Sequence, residues 1–234
     1  MRKFLTAEWR DLIMANYEVD PDLLADRLPR GTELDLHEGR CFVSLVGFMF
    51  LNTRVLGIPI PFHVNFEEAN LRFYLKRETG GELRRGVCFI KEIVPRVAIA
   101  FVARTLYGEP YETWTMTNDR TGNEVKYEWS RSDSANRLAV SLGENLGVPA
   151  AGSHGEFIIE HYWGYTRRGD NSTDEYKVEH PKWELRDVRL SEIDVDFGRV
   201  YGGEFAVLRE RKPYSIVFAK GSEITVYKGS RLSN

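Results

Sequence analysis

Polar and apolar residues alternate with a period of two over residues 66–76. The polar set is Glu68, Asn70, Arg72 and Tyr74, and the apolar set is Ala69, Leu71, Phe73 and Leu75. Successive side chains of a β-strand point to opposite faces of its sheet, so this pattern predicts a strand with one polar face and one core face. Alternation by itself favours a solvated polar face that carries cross-strand charge pairs.

Two further strands are predicted directly after this one. Residues 86–94 follow a loop containing Gly80-Gly81 and are rich in β-branched and aromatic side chains, as expected of a hairpin partner. Residues 98–104 alternate again and place the guanidinium of Arg104 at the end of a face of small side chains. Glycine and proline at 108–111 favour a turn, and this turn is expected to present Tyr111.

Arg104 ends an apolar run, where a charged group is seldom buried without a partner. A carboxylate is therefore expected beside it, from Glu68, from Glu92 or from a bound ligand. A structural salt bridge with no function explains the same pattern, and both interpretations stay open.

Strand patterns also dominate the rest of the chain. Strands are predicted at 9–19, 41–52, 124–129 and 137–142, in a hairpin of 156–168 with 175–188, and at 214–227 with a turn at 220–222. Short helices are predicted after the Asp20-Pro21 N-cap and around 198–205, and a loop at 57–61 leads to His63. No linker or change of composition divides residues 1–234, so a single domain is expected.

Composition narrows the class of protein. Hydrophobic residues make up 42% and aromatic residues 12%, which is enough for a sizeable core. The net charge of −3 and the lack of a long basic tract argue against nucleic-acid binding. The sequence has no signal-peptide pattern and no apolar run long enough to span a membrane, and its two cysteines give no disulfide framework. A cytoplasmic protein without a membrane partner is expected.

Histidines provide no convincing metal motif. His161 and His180 could face each other across the predicted hairpin, beside Glu160 and Glu179, but no HxH, HExxH or CxxC spacing accompanies them. We therefore expect no metal site. His63 precedes the strand that carries Glu68, which keeps it as a candidate ligand-binding residue, although such a histidine is more often structural.

The runs NFEEANLRFYLKR, RRGVCFIKEIVPR and ARTLYGEPY, with LPRGTELDLHEGRCFVSLVGF upstream, resemble an uncharacterised bacterial family, domain of unknown function 2071 or YqjF-like. The resemblance covers nearly the whole chain. That family is distantly similar to acetoacetate decarboxylase, which implies a β-rich α+β fold: a mostly antiparallel, conical or partly open β-barrel with a few short helices. In this comparison Glu68 matches a glutamate of the decarboxylase pattern, and residues 103–112 match its GRExxGxPKK corner.

The decarboxylase uses a lysine as an imine-forming nucleophile, and this chain departs from that pattern. Tyr111 and Glu112 stand at the two lysine positions, and neither side chain can form an imine with a ketone. Imine chemistry through this corner is therefore excluded. Lys91 alternates with Val87 and Phe89 and is the one remaining candidate amine, although such a lysine more often extends to solvent.

Two functional hypotheses follow. In the first, the protein is an enzyme for a small carboxylate- or carbonyl-bearing molecule and needs no dissociable cofactor. Glu68 would transfer a proton, Arg104 would bind a carboxylate or enolate, and Tyr111 would donate to an oxyanion. The further ligand-binding candidates are His63, Asn70, Arg72 and Glu92. In the second, the same pocket only holds a small ligand. A purely structural role is a weaker third alternative, and a homo-oligomer is left open.

Overall fold

Strands form most of the protein in this computed structural model, which describes residues 1–95, 110–170 and 172–232. The strands are β1 (Lys3–Val19), β2 (Glu33–Leu34), β3 (Cys41–Val55), β4 (Ile58–Pro59), β5 (Phe66–Thr79), β6 (Glu82–Val94), β7 (Tyr111–Thr113), β8 (Thr115–Thr121), β9 (Glu124–Arg131), β10 (Ser134–Gly147), β11 (Trp163–Arg167), β12 (Thr173–Glu179), β13 (Leu185–Asp194), β14 (Ser215–Tyr227) and β15 (Ser230–Arg231). Two α-helices, His154–Ile159 and Phe197–Tyr201, and two 3₁₀ helices, Pro21–Arg27 and Gly203–Glu210, complete the described elements. No helix in these ranges is long and apolar enough to cross a membrane.

The described strands belong to one sheet whose pairing path returns to itself. Its order includes β12-β11-β6-β5-β3-β1-β14, and an additional pairing joins β12 to β14. We call this path the strand ring. Most of its pairs are antiparallel, whereas β6 and β11 run parallel. The closing junction is short, with Val178 opposite Val226 and Glu179 opposite Thr225. The architecture is therefore a strand-rich, partly open barrel, as the family resemblance implies.

The remaining long strands, β13, β10, β9 and β8, extend from β14 as an arm. In the central parts of β1, β3 and β5, both faces are consequently buried. On β5, Ala69, Leu71 and Phe73 join a hydrophobic cluster that contains Tyr127 and Leu138 of the arm. The opposite faces of β1 and β3 supply Met14, Val46 and Phe48 to a second cluster inside the ring. Alternation along the ring strands thus separates an interior face from a face covered by the arm.

Some predicted elements differ from the structure or cannot be compared with it. Residues 156–159 belong to a helix rather than to a hairpin strand, because Ser153 caps the helix by accepting a hydrogen bond from the backbone N–H of Glu156. β14 continues through the predicted turn at 220–222, with Gly221 at φ +77°. The predicted strand at 98–104 and residues 108–109 of the predicted turn lie outside the described residues. The predicted strand at 175–188 is interrupted at 180–184: its first part is β12, which pairs with β11, and its second part belongs to β13, which pairs with β10 and β14. The other predicted strands are present, most with longer ends.

Candidate functional site

A cavity of about 130 Å³ lies inside the strand ring. Every ring strand contributes to its wall, for example Leu12 of β1, Phe48 of β3, Trp163 of β11 and Val226 of β14. Most of the wall is apolar or aromatic. The main polar lining residues are Glu68, Asn70, Arg72, Glu92, Tyr111 and His161. An apolar cavity with a few convergent polar groups is the usual form of a small-molecule site.

Strand β5 places its polar face in this cavity rather than in solvent. Glu68 and Asn70 are each only 2% exposed, and Arg72 is half-buried. The period of two carries all three side chains to the same face, since the register across β3 and β5 is continuous from Phe66 to Phe73. Alternation alone favours a solvated polar face, and this prediction is wrong, because the strand ring encloses the face.

Glu68 is the most perturbed carboxyl group of the cavity. Burial raises its pKa to about 7, against the opposing effects of hydrogen bonds from Asn70 and Tyr111 and of the Arg72 charge. Asn70 Nδ2 donates to Oε1 at 2.9 Å, and the Tyr111 hydroxyl donates to Oε2 at 3.1 Å. Burial also raises the pKa of Tyr111, and the charges of Glu68 and Glu92 add to this effect. The phenol therefore stays protonated and acts as a donor.

A β-bulge in β6 determines whether Lys91 or Glu92 faces the cavity. The register shifts between the pairs Leu71–Lys91 and Arg72–Phe89. As a result Glu92, not Lys91, lines the cavity together with Phe89. Lys91 Nζ instead lies 2.8 Å from Glu112 Oε1. Hydrogen bonds from Lys91 and Trp114 lower the pKa of Glu112, although its burial acts in the opposite direction.

Arg72 brings a positive charge to the cavity without an ion pair among the described residues. Its Nη2 donates to Ile158 O at 3.4 Å and to Met14 Sδ at 3.7 Å, and Nε has no hydrogen-bond partner among those residues. A half-buried guanidinium that makes no ion pair within the described ranges is suited to bind a carboxylate bidentately.

One predicted site residue, His63, is described but does not line the cavity. His63 lies in a turn where its N–H donates to Ile60 O at 3.0 Å and its Nδ1 lies 2.7 Å from Pro61 O. Phe62 adopts φ +64° in this turn, and the chain there directs Ile60 rather than His63 to the cavity wall. Arg104 lies outside the described residues, so its role stays a prediction.

His161 is a cavity residue that the sequence analysis does not identify as a candidate. The predicted hairpin placed it opposite His180, but the two rings have different environments. His161 bonds to Asp35, whereas His180 stacks on Trp183 with 4.0 Å between ring centroids. Among the described residues no group of His, Cys, Asp and Glu side chains is arranged to hold a metal ion.

The sequence matches one protein family over most of its length. Residues 6–223 match the model of a family described as uncharacterized conserved protein, domain of unknown function 2071. The uncharacterized protein YqjF of Bacillus subtilis strain 168 is 24% identical over 220 residues, which cover 92% of this chain and 87% of that protein.

Several solved structures have a similar fold over nearly the whole of this chain, among them two enzymes. Acetoacetate decarboxylase from Legionella pneumophila superposes with a TM-score of 0.68 at 13% identity and covers 99% of this chain and 88% of its own. The enduracididine biosynthesis enzyme MppR, complexed with pyruvate, gives a TM-score of 0.69 at 13% identity, with coverage of 100% and 91%. At these identities the likeness establishes an acetoacetate decarboxylase-like fold.

Proposed function

Since the chain belongs to the uncharacterized conserved family of domain of unknown function 2071 and has an acetoacetate decarboxylase-like fold, we propose that it is an enzyme acting on a small carboxylate- or carbonyl-bearing molecule. The reaction is a proton transfer next to a carbonyl group inside the strand ring. It proceeds without an imine, because Tyr111 and Glu112 occupy the corner and Lys91 pairs with Glu112.

The proposal rests mainly on the burial and the raised pKa of Glu68 inside the cavity. Its carboxyl group is 2% exposed, lines the cavity and has a pKa raised by burial to about 7. A group with that pKa populates both protonation states near neutral pH, which is the condition for efficient general acid–base catalysis. We assign Glu68 as the group that removes and returns the proton.

Arg72 and Tyr111 supply the remaining parts of the proposed mechanism. The Arg72 guanidinium binds the carboxylate of the substrate, and the Tyr111 hydroxyl, which donates to Glu68 in this structure, donates to the developing enolate oxygen once Glu68 has taken up a proton. Asn70 holds the other Glu68 oxygen and fixes the direction in which the carboxyl group points.

The cavity volume limits the size of the substrate. An engineered protein cavity of about 150 Å³ binds benzene, a molecule of six carbon atoms. At about 130 Å³ this cavity suits a molecule of about six non-hydrogen atoms. Pyruvate, the molecule bound to the related MppR structure, has this size and is the first compound to test.

The test separates binding from proton transfer. Pyruvate in D₂O loses its methyl proton signal in an NMR spectrum when an enzyme exchanges those protons through the enol. We expect exchange with wild type, a loss of about 10²- to 10⁴-fold in Glu68→Gln with binding retained, and loss of binding in Arg72→Met. Glu78→Gln is the matched control, because Glu78 lies exposed on the same strand.

Thermal shift provides the binding measurement. Ligand at about a hundred times its dissociation constant adds about 2.7 kcal/mol to the stability of the folded state. For a chain of this size each kcal/mol raises the melting temperature by about 2–4 °C. Exchange that is unimpaired in Glu68→Gln contradicts the catalytic role. Binding that depends on Arg72 without exchange of any tested oxo acid supports the non-catalytic binding protein instead.

A further inference from the structure

His161 lies between a buried carboxylate and the cavity. Its side chain is 1% exposed and belongs to the cavity wall. Nε2 lies 3.1 Å from Oδ2 of Asp35, a residue separated from it by 126 positions in the chain. The other ring nitrogen, Nδ1, is buried and makes no hydrogen bond to any described protein group. A buried polar atom without a partner costs stability, so its presence beside a cavity calls for a functional reason.

The surroundings of Asp35 determine which ring nitrogen carries the proton. Arg85 Nε donates to the same Oδ2 at 2.6 Å. Burial raises the pKa of Asp35, but hydrogen bonds from His161 and Arg85 outweigh it and leave the pKa below its ordinary value. Asp35 is therefore an ionised acceptor, and the proton of a neutral imidazole lies on Nε2. Nδ1 then carries a lone pair.

The charge state of His161 agrees with this assignment. Burial lowers its pKa to about 4, and the charges of Arg85 and Arg72 act in the same direction, against the opposing effect of Asp35. The ring is consequently neutral near pH 7. A neutral ring held by Asp35 through Nε2 presents a hydrogen-bond acceptor, not a donor, at Nδ1.

Arg72 and His161 both line the cavity and both contact Tyr74. Arg72 Nη2 donates to Ile158 O, three residues before His161, at 3.4 Å. Both side chains also contact Tyr74: the Arg72 guanidinium carbon lies 5.7 Å from the Tyr74 ring centroid, and the His161 ring lies 4.8 Å from it. A cationic donor and a neutral acceptor thus pack against the same aromatic ring, and both line the cavity.

We propose that Nδ1 of His161 accepts a hydrogen bond from a hydroxyl or enol group on the carbon next to the ligand carboxylate that Arg72 binds. This inference rests on the proposed function, because it uses the same cavity and the same Arg72 anchor. It narrows the ligand class to small 2-hydroxy acids and the enol forms of 2-oxo acids. Asp35 and Arg85 are positioning residues that hold the ring and its tautomer.

Lactate and propionate form the matched pair of probes, because they differ by one hydroxyl group on the carbon next to the carboxylate. Titration calorimetry on wild type should give about tenfold tighter binding of lactate, a factor within the range for one hydrogen bond. In His161→Gln the amide takes the place of Nε2 and keeps the Asp35 contact but leaves no acceptor at Nδ1. We expect equal affinities for lactate and propionate, with propionate binding as it does to wild type.

Two further variants serve as controls. His161→Asn places an amide oxygen near the position of Nδ1, so several-fold preference for lactate should return. His63→Gln makes the same change at a half-buried histidine outside the cavity and should keep the full preference. Equal wild-type affinity for the two acids, or a preference that survives in His161→Gln, overturns the inference while leaving Arg72-dependent carboxylate binding intact.

Nitrogen NMR of labelled protein tests the inference without a ligand. We expect the His161 resonances to report a proton on Nε2 and none on Nδ1 between pH 6 and pH 8. A proton on Nδ1 overturns the inference whatever the binding data show. If neither acid binds wild type, the proposed carboxylate anchor fails, and the proposed hydroxyl acceptor fails with it.

Discussion

Glu68 combines two features that are costly to maintain together. Its carboxyl group is enclosed by apolar walls, and yet its hydrogen bonds from Asn70 and Tyr111 are those of an acceptor. Burial raises the pKa to about 7, and these donors reduce the shift without cancelling it. Folding therefore favours the protonated form, and the protein loses stability wherever this carboxyl group must ionise.

The pH dependence of stability follows from that shift. The folded pKa of Glu68 is about 7, compared with an ordinary value of 4.5, so the folded state holds an extra proton between these two pH values. The contribution of Glu68 to stability is consequently largest below about pH 4.5, declines as the pH rises from 4.5 to 7, and stays lost above pH 7. Glu68→Gln removes the ionisation, and we expect it to be more stable than wild type by about 3 kcal/mol at pH 8. Urea unfolding at several pH values measures the difference.

The difference should vanish near pH 4, where wild type carries a protonated Glu68. Glu78→Gln, at an exposed position of the same strand, should differ little from wild type throughout. A Glu68→Gln advantage that is constant with pH would show that the substitution improves packing and does not relieve ionisation.

The alternation of polar and apolar residues was enough to predict some of the cavity residues together, but it could not predict others. Alternation on β5 grouped Glu68, Asn70 and Arg72 correctly, since all three belong to one strand. Pattern could not reveal that this face is enclosed, because the enclosing strands come from distant parts of the chain. The pairing of Asp35 with His161 spans 126 positions, and neither residue lies in a motif that signals the other.

At the scale of the elements, irregularities within β6 and β14 determine which side chains face the cavity and where a strand continues. The β6 bulge exchanges Lys91 for Glu92 on the cavity face, and strict alternation places Lys91 there instead. In β14, glycine suggested a turn at 220–222, whereas Gly221 adopts φ +77° inside a continuous strand. Both features depend on the partner strand, which a sequence pattern does not specify.

Gly221 provides a direct test of such a local feature. A Cβ atom there would lie 1.9 Å from the backbone oxygen of Trp9 on β1, in addition to the strain of a positive φ. Gly81 has φ +77° as well, but a Cβ atom would meet nothing within 4 Å. Gly81→Ala should lower the free energy of unfolding by about 1–2 kcal/mol, the cost of the left-handed conformation. Gly221→Ala should lower it by a further 1–3 kcal/mol or so, because β1 and β14 must separate.

Chemical unfolding of both variants against wild type measures the two values. Equal losses would mean that conformational strain alone explains both glycines, and that the close approach of β1 to β14 is relaxed without cost. A loss confined to Gly221→Ala would instead show that the Gly81 turn tolerates a side chain.

At the scale of the whole molecule, the strand ring and the arm share their cores. Ile13 and Met14 are neighbours on β1, but they belong to the cluster under the arm and to the interior cluster respectively. The Tyr127 hydroxyl of the arm donates to Asp11 O on β1 at 2.9 Å. The β-rich architecture could be predicted from strand patterns and from family resemblance, whereas this division of each strand between two cores follows only from the topology.

We therefore propose that the chain unfolds as one cooperative domain. Loss of the arm would expose the outer faces of the ring strands, where Ala69, Leu71 and Phe73 are fully buried, so neither part should persist alone. Far-ultraviolet circular dichroism and tryptophan fluorescence should report the same midpoint in urea, since Trp129 lies in the arm and Trp163 in the ring. A cavity-forming variant on the arm side, Leu138→Ala, should lower both midpoints together by the equivalent of about 2–5 kcal/mol. Separate midpoints, or a shift in only one probe, would mean that the ring and the arm are independent units, and that ligand binding in the ring cannot stabilise the arm.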